Sequence, residues 1–253
     1  MSVEDSEEAF SGGDASPEPM VTPEDPAADV APLVRTVDAS AYDDIYLVGD
    51  VHGCLAELET LLARLDPTDD DLVVFVGDLV RKGPDSHGVV DLVRSHDNFV
   101  SVRGNNEDKL IHGRKDLDAV TEPFDDYLAA MPLVLLFDDA MVVHGGVDPR
   151  RPLHDHSIQD LLNFRAVPPE NGYDGPFWFE QREERPRVFF GHTVLDEPFV
   201  SPYAVGLDTG CVYGDELTAY DYRSDELVAV PAEREYRARA DRKIIEPEPP
   251  FPC

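Results

Sequence analysis

Leu47-Val48-Gly49-Asp50-Val51-His52-Gly53 is an apolar run that stops abruptly at an acid, a histidine and two glycines. Ile45 to Val48 reads as a buried strand, and Leu55, Leu58, Leu61, Leu62 and Leu65 then recur at helical spacing. A strand ending in this way delivers a carboxylate and an imidazole, two residues apart, to the carboxyl edge of a sheet, where open α/β sheets bind their ligands. Alone, the stretch is either half of a metal site or an ordinary turn.

The same pattern recurs downstream. Leu72 to Val76 is a second apolar strand, ending at Gly77-Asp78; Val89, Val90, Leu92 and Val93 suggest a helix; Phe99 to Val102 is a third strand, ending at Arg103-Gly104-Asn105-Asn106-Glu107. Strand and helix in alternation imply parallel, right-handed crossovers, which put all these loops at one edge of the sheet. Two further apolar strands finish on histidine and glycine, in Val142-Val143-His144-Gly145-Gly146 and Phe189-Phe190-Gly191-His192-Thr193. The strand ends together offer Asp50, His52, Asp78, Asn105, His144 and His192. Imidazole, carboxylate and amide oxygen suit Mn, Fe, Zn or Mg without any thiolate.

The second half is rich in strands, expected at Leu133 to Phe137, Met141 to Val143, Arg187 to Phe190, Tyr203 to Leu207, Leu217 to Tyr222 and Leu227 to Val230, with a hairpin turn at Arg223 to Glu226. The fold class is α/β, a two-sheet β-sandwich flanked by helices. Pro149 to Pro186 reads as loops and short helices over the site. Residues 1–38 hold ten acids and five prolines against Arg35 alone, so they are expected to be a disordered acidic tail. The domain then spans 39–233, and the charged, proline-rich stretch 234–253 is expected to be an extended or disordered tail.

Asp and Glu number 53 against 21 Lys and Arg, for a formal charge of −32, and the acids are spread along the chain. Self-repulsion on that scale favours a halophilic setting, where salt screens it. The field also repels phosphodiester backbones, which argues against bulk nucleic-acid binding and requires local cations or metal to capture any phosphate. Three cysteines with no CxxC spacing give no disulfide framework, and neither a signal peptide nor a membrane span is visible, so a cytoplasmic location is expected.

In their order, GDVHG at 49, GDLVRKG at 77, GNNE at 104, HGG at 144 and GH at 191 resemble the calcineurin-like metallophosphoesterases, in particular the phosphoprotein phosphatase branch that includes the symmetrical dinucleoside tetraphosphate hydrolases. The likeness runs from about residue 44 to 222 and takes in the late GLDTGCVYGDELTAY, Gly206 to Tyr220. It implies a dinuclear metal-dependent phosphohydrolase with one ion on Asp50 and His52, Asp78 bridging, and a second ion on Asn105, His144 and His192. Two cations about 3.5 to 4 Å apart can share a hydroxide and clamp the phosphoryl oxygens during in-line attack. Mn is the favoured metal, with Fe, Zn and Mg as alternatives.

Two departures from the family pattern bear on catalysis. Asn106 stands where a histidine usually follows the metal-binding asparagine, and an amide cannot protonate a leaving group. Lys82, in Arg81-Lys82, stands where protein phosphatases show Arg, and would meet phosphate as a point charge. Arg165, in an inserted segment, resembles an arginine that some relatives place over the phosphate. Asn106, Arg165 and Lys82 are thus the candidate catalytic positions. Arg103 is read as substrate contact or structural ion pair, and His87, His112, His154 and His156 as surface histidines or a replacement acid. Trp178 is read as core, and Cys54 and Cys211 as buried small residues. The expected substrate is a phosphorylated small molecule, a nucleotide such as a dinucleoside polyphosphate, or a phosphoprotein; the alternatives are a serine/threonine protein phosphatase and a catalytically silent metal or phosphate sensor. Oligomeric state is left open.

Overall fold

The computed structural model describes residues 29–115 and 124–248. Two sheets face each other. The first has the order β1-β5-β6-β7-β9-β8, formed by Val34–Thr36, Val134–Phe137, Ala140–Val143, Arg187–Phe190, Ala204–Gly206 and Phe199–Val200. The second has the order β11-β10-β2-β3-β4, formed by Glu226–Pro231, Glu216–Asp221, Ile45–Val48, Leu72–Phe75 and Phe99–Ser101. β2, β3 and β4 are parallel neighbours joined by α1 (Leu55–Leu65) and α2 (Ser86–Arg94), so the loops after these strands share one edge, as the alternating pattern requires. The remaining α-helices are α3 (Asn105–Ile111), α4 (Asp125–Ala130) and α5 (Ile158–Asn163).

The continuous apolar runs are explained by burial on both faces of each sheet. Ile45 and Leu47 point into the sandwich with Leu72 and Val74, where they meet Leu135, Val142, Phe189 and Val205 of the other sheet. Tyr46, Val48, Val73 and Phe75, at the alternate positions, pack outward on Leu58 and Leu61 of α1 and Val89, Val90 and Val93 of α2. The first sheet's outer face carries Val143, Val188 and Phe190 against Trp178 and Phe179. Trp178 is a core residue, fully buried, with its indole N–H donating to the Gly145 carbonyl at 3.2 Å.

The expected strands are all present, most with ends shifted by one residue, and the Asp221↔Glu226 pair closes the hairpin around residues 222–225. β1, β8, α3 and α4 were not anticipated, being only three, two, seven and six residues long. The tail assignments need correction where residues are described. Residues 1–28 lie outside the described part, but Val30 is fully buried and β1 pairs in parallel with β5, so the fold begins before residue 39. After β11 the chain stays packed: Ile245 is buried and its amide donates to the Val194 carbonyl at 2.8 Å. Both segments owe their order to a few apolar anchors within polar sequence, a pattern that composition hides. No described helix is long and apolar enough to cross a membrane.

Candidate metal centre

The loops after β2 and β3 bring Asp50, His52 and Asp78 together, each offering one ligand atom, all within 4.8 Å of one another. His52 Nε2 stands 3.7 Å from Asp50 Oδ2 and 3.5 Å from Asp78 Oδ2, and His144 Nε2 is 3.4 Å from Asp78 Oδ1. His52, Asp78 and His192 all have positive φ, 51°, 53° and 65°. Left-handed backbone at three non-glycine residues is costly and concentrates at functional sites.

Two of the three imidazoles are aimed by their other nitrogen. His52 Nδ1 lies 3.1 Å from the Val80 carbonyl and His144 Nδ1 lies 2.9 Å from the Val76 carbonyl, so each Nδ1–H donates outward and Nε2 keeps its lone pair for the site. His144 Nε2 and His192 Nε2 are buried without a hydrogen-bond partner. Asn105, at the start of α3, lies beside His192, its amide nitrogen 2.7 Å from His192 Nδ1. All six expected donors therefore come to one place.

Burial pushes Asp50 well above the ordinary carboxylate range, and the charges of Asp208 and Asp78 push it further. Burial also opposes ionisation of Asp78, but His144, His52, Lys82 and the Asn106 amide outweigh it and hold this carboxyl low. Burial, with Lys82, takes His52 down to about 3; His144 and His192 are likewise lowered by burial, leaving neutral imidazoles. Crowded acids, neutral imidazoles and the unpartnered lone pair of His144 Nε2 fit a divalent cation, whose charge favours the ionised carboxylates and whose coordination uses such a lone pair.

Asn106 is buried and fully engaged. Its backbone N–H donates to Asp78 Oδ1 at 2.8 Å, its amide nitrogen donates to Asp78 Oδ2 and Asn105 Oδ1, and its amide oxygen accepts from Arg81. Lys82 reaches His52 Nε2 with its ammonium, and that charge bears on Asp50, Asp78 and Asp208. Arg165 donates to the His192 carbonyl at 3.4 Å and lies 4.7 Å over the Tyr173 ring. The other candidates serve elsewhere. Arg103 donates to the Ala129 and Met131 carbonyls at the end of α4 and makes no ion pair with a described residue. His87 packs edge-on against Phe124, His112 Nδ1 meets the Asp108 carbonyl, His156 accepts from the Asp148 amide, and His154 lies 3.6 Å from Asp155. Cys54 and Cys211 are buried free thiols.

Glu107 and Asp208 escaped the sequence reading. Glu107, the last residue of GNNE, accepts from the Asp78, Gly104 and Val80 amides at 3.0, 2.8 and 3.1 Å, tying the loops after β3 and β4 together. Burial and the Asp78 charge push its carboxyl up to about 7 against those three donors. Asp208 closes an apolar strand followed by Thr209-Gly210, which is the signal that singled out Asp50 and Asp78; it was available and unused.

A calcineurin-like phosphoesterase family model matches residues 44–230. The chain belongs to that family. This calcineurin-like phosphoesterase is a hydrolase of phosphate bonds in a family that uses divalent metals. It is 28% identical over 240 residues to the asymmetrical bis(5'-nucleosyl)-tetraphosphatase PrpE of Oceanobacillus iheyensis, covering 77% of this chain and 94% of that one. It is 27% identical over 258 residues to the symmetrical bis(5'-nucleosyl)-tetraphosphatase of Vibrio parahaemolyticus, covering 72% and 96%. A crystal structure of a candidate diadenosine tetraphosphatase superposes with a TM-score of 0.70 at 32% identity, over 79% of this chain and 97% of that one. A protein serine/threonine phosphatase from Saccharomyces cerevisiae shares the fold, with a TM-score of 0.58 at 17% identity over 82% and 85% of the two chains.

Proposed function

We propose that this phosphoesterase cleaves the phosphoanhydride chain of dinucleoside polyphosphates, using two divalent ions, of which Mn²⁺ is the favoured choice. Asp50 and His52 would hold one ion, Asn105, His144 and His192 the other, and Asp78 would bridge. Bound there, the ions supply Lewis acidity and neutralise charge that develops on the phosphoryl group. Relatives named as symmetrical and as asymmetrical tetraphosphatases support the substrate class and leave the scissile bond open.

The chain's own residues do the positioning. Glu107 fixes the two loops that carry Asp78 and Asn105. Asn106 holds Asp78 from two sides and orients Arg81. Arg165 and Lys82 bring positive charge to the site, in a chain whose overall field repels phosphate.

The observation that carries the substrate assignment is Asn106. Its amide nitrogen is committed to Asp78 and Asn105, and it has no acidic proton for a departing alkoxide. A nucleotide phosphate leaves as a stabilised anion and needs that proton far less than a serine side chain does. A panel of diadenosine tetraphosphate, serine phosphopeptide and p-nitrophenyl phosphate, with Mn²⁺ in high salt, tests the assignment. Diadenosine tetraphosphate is expected to have the highest kcat/KM. Preference for the phosphopeptide would return the protein-phosphatase reading, and inactivity on all three with metal bound would return the sensor. The dispersed acids and the absence of a membrane-crossing helix among the described residues support a salt-rich cytoplasm as the setting.

A further inference from the structure

The segment after β11 reaches the active-site rim. Its first part is tied to the loop before β10: the Tyr236 and Arg237 amides donate to the Val212 carbonyl at 3.2 and 3.0 Å. Buried Glu57 of α1 reinforces the tie, its Oε1 accepting from the Glu233 amide at 3.0 Å and the Tyr236 hydroxyl at 2.8 Å. Its last part is tied to the loop after β7, where the Ile245 amide donates to Val194 and the Asp196 amide to Ile245, at 2.8 and 3.0 Å. Those two loops carry Asp208 and His192.

Between the ties, Arg239 and Lys243 join a cluster of cations around two tyrosine rings. Arg239 lies 4.6 Å from the Tyr213 ring centre and 5.9 Å from that of Tyr173. Lys82 stands 5.2 Å over Tyr213, Lys243 5.7 Å over Tyr173 and Arg165 4.7 Å over Tyr173. Arg239 is also close enough to Asp208 to lower its pKa and to Arg165 to oppose its charge.

Asp208 lies near the cluster, but none of the cluster's cations forms an ion pair with a described carboxylate. Acids outnumber bases more than twofold in this chain, yet the Arg and Lys ion pairs of the described residues involve other side chains. Arg165 Nε and Arg239 Nη2 are buried with no acceptor. Gathering like charges and burying guanidinium N–H groups unpaired are both unfavourable unless an anion completes them. A guanidinium fork matches phosphate oxygens bidentately.

We propose that Arg239 and Lys243, together with Arg165, form a distal subsite for the further phosphates of a polyphosphate chain whose reacting phosphate lies at the metal centre. This rests on the dinucleoside polyphosphate reading and places the selection of chain length in the segment after β11. A monoester has no group to put there.

The test measures inhibition of p-nitrophenyl phosphate turnover by inorganic tripolyphosphate and by orthophosphate, with Mn²⁺ in excess over both. In the wild type, tripolyphosphate is expected to have a Ki at least about tenfold below that of orthophosphate, the equivalent of one or two charge-assisted hydrogen bonds. Arg239→Gln should shrink that ratio about tenfold and Lys243→Gln about threefold, each with a wild-type circular dichroism spectrum. A wild-type ratio near one, or the wild-type ratio retained in both folded variants, overturns the subsite. Turnover of diadenosine tetraphosphate by the wild type scores the underlying reading separately, so the two fail independently.

Discussion

A Cβ on Gly191 would fall 2.0 Å from Asp50 Oδ1. The carboxylate is seated against bare backbone of the loop after β7, where it also accepts from the His192 amide at 3.2 and 3.3 Å. Gly191→Ala must therefore displace Asp50 or the loop. Divalent-metal affinity measured calorimetrically should fall by about 10- to 100-fold, as for loss of a supporting contact to a ligand, with the circular dichroism spectrum retained. Wild-type affinity in a folded variant would show that Asp50 need not sit where it does.

Asn106→His tests whether a proton donor is what this site lacks. Losing a general acid typically costs about 10²- to 10⁴-fold, or about 3 to 5 kcal/mol of barrier. The variant should accelerate serine phosphopeptide hydrolysis by at least about tenfold and hardly change p-nitrophenyl phosphate, whose leaving group departs unaided. An equal change on both substrates would mean that Asn106 acts only through its bonds to Asp78 and Arg81.

The framework was readable because its signals are local. A strand buried on both faces must be apolar throughout, so Ile45 to Val48 and Leu72 to Phe75 announce themselves, and a donor beside glycine marks where each one stops. Those strand ends converge because parallel crossovers leave them no other edge. Glu107 acts through long-range contacts to the Asp78 and Val80 amides that spacing does not encode, whereas Asp208 carries the same local strand-end signal as Asp50 and Asp78. Arg239 was hidden by composition: the segment carrying it looks like a solvated tail, and only the ties through Glu57, Val212 and Val194 hold it at the site.

Those ties carry measurable stability. Tyr236→Phe removes one of the two donors to Glu57 Oε1 and leaves a buried carboxylate with less compensation. Denaturant unfolding should show a loss of about 0.5 to 1.5 kcal/mol, the ordinary net range for one intramolecular hydrogen bond. No change in the midpoint would mean that the segment is held without Glu57.

The formal charge of −32 makes a prediction about salt. The Debye length shrinks from about 10 Å at 0.1 M to about 3 Å at 1 M, so repulsion among dispersed surface acids is progressively screened. The melting temperature should rise continuously into molar KCl. A fold equally stable in dilute buffer would point to an acidic face evolved for a basic partner.

If Asp78 joins two ions in one catalytic unit, metal content and rate must fall together when its charge is removed. Wild-type protein equilibrated with Mn²⁺ should hold about two ions per chain. Asp78→Asn keeps the size of the side chain and removes its charge; it should lose at least one ion and, with it, diadenosine tetraphosphate hydrolysis by about 10³-fold or more, the scale expected when electrostatic stabilisation of the transition state is removed. A variant that retains both ions at wild-type affinity, whether active or not, would contradict the bridge.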